Sequence, residues 1–338
     1  MPDNLWGEDL LWEEELSELA EPAPGELFRV FGLPVTVFSV LVTLGAVLAL
    51  VMALRRTKRT GVSANTVLWF ALLALPLGTL LGRLLFCLNP WSTVDLAENG
   101  FGVVFRLDRG GIGLAGVACG AALAGLFTKL ITKEGFVRVM DTVLPGLLIL
   151  LAFERFAEGA TDNGTGLEAQ VDALRFFPLV RPGLYGEEVW AVNLFAALTA
   201  LTAGLCTQFL CAPAGRAAGL GVIVTACGQV IWESIRRDDR MMLMMASFLL
   251  VFCGVVLAAL FITCLVKCGW PVWARILAGV CFLALAGGTV VCQFAMEGKM
   301  LQGVMPVGTA FLLSAFAAVC MGVLCAVTLW SATKPKEN

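Results

Sequence analysis

Histidine is absent from this 338-residue chain, and tyrosine occurs once. Without histidine the chain cannot form a His-ligated metal site, a Ser-His or Cys-His catalytic pair, or a histidine general base. Charged residues are also scarce, at 14%, whereas soluble domains contain about 25%. The net charge of −3 excludes the basic footprint of a nucleic-acid-binding protein. With 59% hydrophobic residues, the composition is not that of a soluble globular domain.

Apolar runs that are long enough to cross a bilayer recur along the chain. A helix needs about 20 largely apolar residues to span the hydrocarbon core. The run at 217–233 is the shortest and contains Gln229 and Glu233. The expected fold class is therefore all-α, a polytopic membrane protein with about nine transmembrane helices. The predicted spans are 34–54, 66–88, 111–131, 138–157, 189–211, 217–233, 243–266, 272–294 and 306–330.

The distribution of basic residues predicts the orientation in the membrane. The first apolar run is followed by the cluster Arg55-Arg56-Thr57-Lys58-Arg59. Because cytoplasmic loops are enriched in Lys and Arg, we expect the N-terminus outside and the C-terminus in the cytoplasm. The acidic segment 1–30 then lies outside, and no cleavable signal peptide is predicted in it. Its first part is either a short amphipathic surface helix or a solvated acidic tail.

The cysteines and glycines within the apolar runs are expected to have packing roles. The chain has 12 cysteines but no C-x-x-C pair, so no zinc or redox motif is predicted. We expect no cofactor and no metal. Gly116 and Gly120 form a G-x-x-x-G pair in the third run. This spacing predicts a close approach of two helices.

Ionisable residues inside the apolar runs are the strongest local signal for function. Such residues are energetically costly in a membrane and are paired or functional. For Asp141 and Glu154 a structural pairing is the favoured interpretation. For Arg83 and Arg155 two interpretations remain open. Each side chain either has a structural role, by extending to the headgroups or pairing with a carboxylate, or the two converge to bind a lipid phosphate through their guanidinium groups. The loops 89–110 and 158–188, which the predicted orientation places outside, mix aromatic and basic residues, as is typical of the membrane interface.

Five segments of the chain combine charged residues with glycine or proline in a characteristic order. They are Gly82-Arg83-Leu84, Phe105-Arg106-Leu107-Asp108-Arg109-Gly110-Gly111, Asp141 with Pro145, Arg155 followed by Gly166, and Trp232-Glu233-Ser234-Ile235-Arg236-Arg237-Asp238. Taken in this order, they resemble the prolipoprotein diacylglyceryl transferase family. The resemblance covers roughly residues 30–266 and is best between 80 and 166. It predicts a seven-helix core at 31–266 and two additional helices with a short tail at 267–338.

The resemblance implies a lipid-modifying activity at the outer leaflet of the bacterial plasma membrane. Members of the family move a diacylglyceryl group from phosphatidylglycerol to the lipobox cysteine thiol of a lipoprotein precursor, and glycerol phosphate leaves. These two molecules are the expected partners. The implied phospholipid-binding residues are Arg83, Arg106, Arg155, Gly166 and Arg236, and the implied catalytic residues are Arg155, Glu158 and Glu233.

Four positions depart from the family pattern. Ala115 stands where the family has a histidine, Glu158 replaces an asparagine, and Gln229 replaces an arginine. The segment Val37-Phe38-Ser39 lacks the family's tyrosine. If the chain is a transferase, another group takes the thiol proton, and Glu158 and Glu233 are the candidates, because desolvation near the membrane raises the pKa of a carboxyl group.

Two other functions remain open. The first is a relative that binds phospholipid or lipopeptide without transfer; it would keep Arg155 and need no base. The second, more distant, is a small-solute transporter, for which neither repeats nor broken helices at the membrane midplane are evident.

Overall fold

A computed structural model describes eleven segments of the chain. The predicted acidic segment before residue 25 and the tail after residue 334 lie outside them. The described residues are 25–30, 33–88, 100–105, 111–161, 163–169, 175–183, 186–210, 215–237, 242–243, 246–301 and 304–334.

Within this described part, nine helices are long and apolar enough to span a membrane. The predicted polytopic all-α fold is thus confirmed, and each helix coincides with one of the predicted spans. The helices are α1 (Val37–Thr60), α2 (Ala64–Cys87), α3 (Leu114–Thr132), α4 (Phe136–Ala157), α5 (Val192–Phe209), α6 (Arg216–Ile235), α7 (Phe248–Lys267), α8 (Val272–Met296) and α9 (Val307–Ala332).

Short antiparallel strands occupy three of the connections. The strands are β1 (Glu26–Val30), β2 (Leu33–Thr36), β3 (Thr165–Glu168), β4 (Val180–Pro182), β5 (Glu188–Ala191), β6 (Met242–Leu243) and β7 (Ala246–Ser247). The pair β1-β2 precedes α1, a three-stranded sheet of order β3-β5-β4 joins α4 to α5, and the pair β6-β7 joins α6 to α7.

All of these strands lie at the end of the bundle where α1 begins, which we call the upper end. Successive helices alternate in direction, so α4 and α6 end here and α5 and α7 begin here. Helix α4 is central and contacts α1, α3, α5 and α6. Backbone contacts tie the upper end together: Val37 N donates to Gly25 O at 2.9 Å, and Gly113 N donates to Gly82 O at 3.0 Å.

Glycines allow α2 and α3 to pack backbone against backbone. A Cβ added at Gly116 would lie 2.3 Å from Leu81 O, and one at Gly120 would lie 2.6 Å from Gly78 N. Atoms this close overlap, so any larger residue must push the helices apart. The predicted close approach at Gly116 and Gly120 is confirmed, and the partner is α2.

At the opposite, lower end, Arg56 and Asp141 bind backbone groups of neighbouring helices. Asp141 accepts from the Gly215 backbone N–H and from Ala218 N at 2.7 Å, so its carboxylate caps α6. Arg56 is 3% exposed and donates to Asp141 O and Gln208 O. These contacts explain why α1 continues beyond its predicted end at residue 54: the basic cluster lies in its last turns and bonds to carbonyls.

The two C-terminal helices pack on α6 and α7. Helix α9 approaches α6 so closely that a Cβ at Gly322 would lie 2.8 Å from Cys227 Sγ. The rings of Phe261 in α7 and Phe282 in α8 stack with centroids 4.5 Å apart. Helix α6, the shortest predicted span, has the largest buried share of the nine. Its polar residues are tolerated because protein surrounds them.

Candidate active site at the upper end

The last turns of α4 and α6 place four charged side chains next to one another. Helix α4 ends at Ala157 and continues as a short 3₁₀ turn, Glu158–Ala160. Arg155 and Glu158, three residues apart, therefore lie on the same face. Helix α6 ends at Ile235, and Glu233 and Arg236 flank that end. We call Arg155, Glu158, Arg236 and Glu233 the ionic chain.

Ion pairs connect the ionic chain in that order. Glu158 Oε1 accepts from Arg155 Nη1 at 2.5 Å and from Arg236 Nη2 at 3.0 Å. Arg236 Nη1 lies 3.4 Å from Glu233 Oε1. All four residues are at most 9% exposed. One carboxylate oxygen thus holds two guanidinium groups from helices that are distant in sequence.

Three further polar residues surround the ionic chain. The hydroxyl of Ser247 donates to Glu233 Oε2 at 2.8 Å. Gln229 Oε1 accepts from Arg155 Nη2 at 3.5 Å. Glu154 Oε2 lies 3.5 Å from Arg155 Nε. Three carboxylates therefore face two guanidinium groups in this buried cluster.

One oxygen of Glu158 has no partner in the part of the chain that the structure describes. Among the described residues, its buried Oε2 has no hydrogen-bond partner. Leaving a buried acceptor unpaired costs about 1–3 kcal/mol, and more when it is charged. Such an atom is a candidate for contact with a hydrogen-bond donor on a substrate. In Glu233, by contrast, each oxygen has a protein partner, Arg236 or Ser247.

Gly166 fixes the backbone that carries Arg236. It pairs with Arg236 in an antiparallel bridge, and the next residue, Arg237, donates its N–H to Thr165 O at 2.9 Å. A Cβ at Gly166 would lie 2.6 Å from Val192 Cγ2. Only glycine fits between this bridge and the start of α5, so Gly166 acts through its backbone.

Arg83 occupies a different part of the upper end. It is fully buried in α2, and it donates to Gly111 O at 3.1 Å and to Val103 O at 3.4 Å. Its guanidinium carbon lies 5.4 Å from the ring centroid of Phe86. The possible convergence of Arg83 with Arg155 is not found, because Arg83 binds the loop that leads into α3. Arg106, the other predicted residue of that loop, lies outside the described residues.

Ser247 is the site residue that sequence reasoning missed. It lies at the start of a helix, next to apolar residues, where no motif draws attention to it. Ala115, which the resemblance predicts to stand in place of a histidine, is 4% exposed and lies in the first turn of α3.

The fold and site define a polytopic α-helical membrane protein with a buried ionic cluster at one end. Comparison with known families narrows this class. The family model described as prolipoprotein diacylglyceryl transferase matches residues 26–266. The chain therefore belongs to the prolipoprotein diacylglyceryl transferase family, as the sequence predicted.

Individual relatives carry the same description at low identity. A phosphatidylglycerol–prolipoprotein diacylglyceryl transferase of Clostridioides difficile is 27% identical over 179 residues, which is 51% of this chain and 68% of that protein. One from Clostridium novyi is 22% identical over 68% of this chain and 93% of its own length. A third, numbered 2, from Clostridium perfringens is 23% identical over 63% and 84%. The prediction that this chain is a member of a membrane transferase family is confirmed.

Proposed function

We propose that the protein transfers a diacylglyceryl group from phosphatidylglycerol to the lipobox cysteine thiol of a lipoprotein precursor. The observation that carries this proposal is the ionic chain, in which two buried guanidinium groups share a carboxylate with one unengaged oxygen. Cations suit a departing phosphate, and an unengaged carboxylate oxygen suits a thiol proton. The first property serves phosphatidylglycerol, whose phosphate departs, and the second serves the lipoprotein precursor, whose thiol loses a proton.

Arg155 and Arg236 bind the phosphate in this proposal. Guanidinium groups match phosphate oxygens and stay charged at any physiological pH. Glu158 and Glu233 hold the two side chains in place before substrate arrives. Such preorganised charges stabilise the negative charge that develops on the leaving group.

Glu158 Oε2 is the proposed proton acceptor. A free thiol with a pKa of about 8.5 is only a few per cent ionised at pH 7, so a base is required. The thiol proton passes to Glu158, the sulfur forms a bond to the terminal glyceryl carbon, and the bond from that carbon to the phosphate oxygen breaks. Glycerol phosphate leaves with the electron pair. Glu233 positions Arg236, because its two oxygens bind Arg236 and Ser247.

The membrane orientation completes the proposal. With the N-terminus outside and the C-terminus in the cytoplasm, the upper end faces the outer leaflet of the bacterial plasma membrane. A lipoprotein precursor and phosphatidylglycerol both reach the ionic chain from that side. Arg83 is not part of the ionic chain; it binds Gly111 O and Val103 O and so stabilises the loop before α3.

The test is a transfer assay with the purified full-length protein, phosphatidylglycerol and a synthetic lipobox peptide with one cysteine. The expected product is peptide whose mass increases by one diacylglyceryl group. Absence of product, under conditions in which an authentic family enzyme works, would refute the proposed function.

One observation favours a second candidate, a relative that binds phospholipid or lipopeptide without transfer. Both guanidinium groups are already paired with carboxylates, and the cluster includes three carboxylates in all. A binding protein would need no base and would tolerate this pairing. It would retain labelled phosphatidylglycerol in a manner that depends on Arg155, and it would give no modified peptide.

A further inference from the structure

The side chain of Asn193 carries a further buried acceptor near the ionic chain, besides the Oε2 atoms of Glu158 and Glu154. This residue is the second of α5 and is 7% exposed. Its buried Oδ1 has no hydrogen-bond partner among the described residues. The proposed transfer mechanism does not use it. A buried amide oxygen without a partner is costly in a folded protein, so it marks a contact that the described part of the chain does not provide.

The two segments that frame Asn193 are those that carry the ionic chain. A Cβ at Gly159, the residue after Glu158, would lie 2.8 Å from Asn193 Nδ2. A Cβ at Gly164 would lie 2.5 Å from Asn193 Cβ, and Asn193 N donates to Gly164 O at 3.1 Å. Two residues further on, Gly166 pairs with Arg236. The amide is therefore held between the turn of Glu158 and the strand that orients Arg236.

The chemistry of an amide oxygen restricts what it can bind. It accepts hydrogen bonds, so phosphate and ester oxygens, which also only accept, are excluded as partners. The phosphate bound by Arg155 and Arg236 carries a headgroup that projects away from the glyceryl carbon under attack. In phosphatidylglycerol this headgroup has two hydroxyl groups, which are donors. In the proposed mechanism the thiol is the donor for Glu158. The remaining donors of the two substrates are the headgroup hydroxyls and the backbone N–H groups of the peptide, and the hydroxyls are the ones attached to the phosphate that Arg155 and Arg236 bind.

We propose, on the basis of the function proposed above, that Asn193 Oδ1 accepts a hydrogen bond from a headgroup hydroxyl of the donor phospholipid and thereby selects hydroxyl-bearing donors. Gly159 and Gly164 keep the amide in place because any side chain there would displace it. Asn193 is a substrate-binding and specificity residue in this account, and the proton and phosphate steps remain with Glu158 and the two arginines.

The experiment compares two donors of equal charge. Phosphatidylpropanol has the same phosphodiester as phosphatidylglycerol and no headgroup hydroxyl. The full-length protein should transfer from phosphatidylglycerol with a kcat/KM at least about tenfold higher than from phosphatidylpropanol. The analogue without a hydroxyl leaves the amide oxygen of Asn193 unpaired, and this disfavours its transfer. In Asn193→Leu, which keeps the number of side-chain heavy atoms and removes the amide oxygen, the two donors should become equal within about twofold. Asn163→Ala, at an exposed asparagine of the same connection, is the matched control and should keep the preference.

Each result decides between roles. Equal use of both donors by the unaltered protein overturns the inference, whether or not any variant folds. An equal loss on both donors in Asn193→Leu also overturns it and assigns the amide a packing role. A raised KM for the peptide alone would assign Asn193 to the acceptor and overturn it as well. No product from either donor would refute the proposed function itself, and the inference with it.

Discussion

Replacing Glu158 with glutamine removes the shared carboxylate and changes little else in size. In the structure, Glu158 Oε1 binds Arg155 and Arg236 at 2.5 and 3.0 Å, and Oε2 is unengaged. The substitution therefore has two separable effects. It removes the proposed proton acceptor, and it replaces the negative charge shared by two buried guanidinium groups with a neutral amide.

Both effects have magnitudes that can be estimated. A positioned general base contributes about 10²–10⁴-fold to rate, so Glu158→Gln should lower kcat by that range at pH 7. Removing one partner from a buried ion pair costs about 3–5 kcal/mol, so the thermal unfolding midpoint in detergent should also fall. Rates are therefore compared per folded protein.

The pH dependence separates loss of the base from loss of structure. The fraction of a free thiol with a pKa of about 8.5 that is ionised rises from ~3% at pH 7 to ~75% at pH 9, which is roughly 25-fold. The Glu158→Gln variant can use only peptide whose thiol has already ionised in solution. Its transfer rate should therefore rise by the same factor, roughly 25-fold, between pH 7 and pH 9. The unaltered protein should show a smaller rise, since Glu158 removes the proton within the site.

The control for this prediction is Glu188→Gln. Glu188 is an exposed carboxylate at the upper end, 3.9 Å from Arg175, and surface pairs of this kind contribute little. Its rate and pH profile should match those of the unaltered protein. If Glu158→Gln keeps the unaltered rate at pH 7, Glu158 is not the proton acceptor. A reduced rate with an unchanged pH profile would leave Glu158 a structural role only.

Three further predictions concern other parts of the structure. Arg155→Ala should lower transfer by at least about 10²-fold and Arg155→Lys should restore only part, since lysine lacks the bidentate fork; normal turnover in Arg155→Ala would remove this residue from the site. Gly120→Leu should destabilise the bundle by about 1–3 kcal/mol, whereas Gly279→Leu, whose side chain would meet open space, should not. Equal shifts of the two variants in thermal unfolding would contradict the close α2–α3 packing. Asp141→Asn should cost about 1–2 kcal/mol by weakening the α6 cap and leave donor preference unchanged; a changed preference would contradict a purely structural role.

The sequence was sufficient to predict the helices, because each span is a long apolar run and membrane helices satisfy their own backbone groups. It also singled out the charged residues at the ends of α4 and α6, which the structure brings together, since charge within such a run is costly. The α2–α3 contact was predictable from the G-x-x-x-G spacing of Gly116 and Gly120. The end of α1 was not predictable, because Arg56 is buried through hydrogen bonds to backbone carbonyls of other helices.

The partners within the site could not be predicted from the sequence. Glu158 binds Arg236, 78 residues away, only because Gly166 pairs with the segment after α6. Arg83 is buried against backbone carbonyls rather than beside Arg155, and nothing in its own span indicates this. Asn193 gives no local signal, because its importance comes from two glycines that are 29 and 34 residues earlier in the chain.

The central claim is that the ionic chain couples thiol modification to release of glycerol phosphate. The most direct measurement is the ratio of glycerol phosphate released to modified peptide formed, with the full-length protein, phosphatidylglycerol and a lipobox peptide. The account predicts a ratio of one, and no release with a peptide whose cysteine is replaced by serine. Release that is independent of the thiol, or saturable lipid binding without either product, would contradict it.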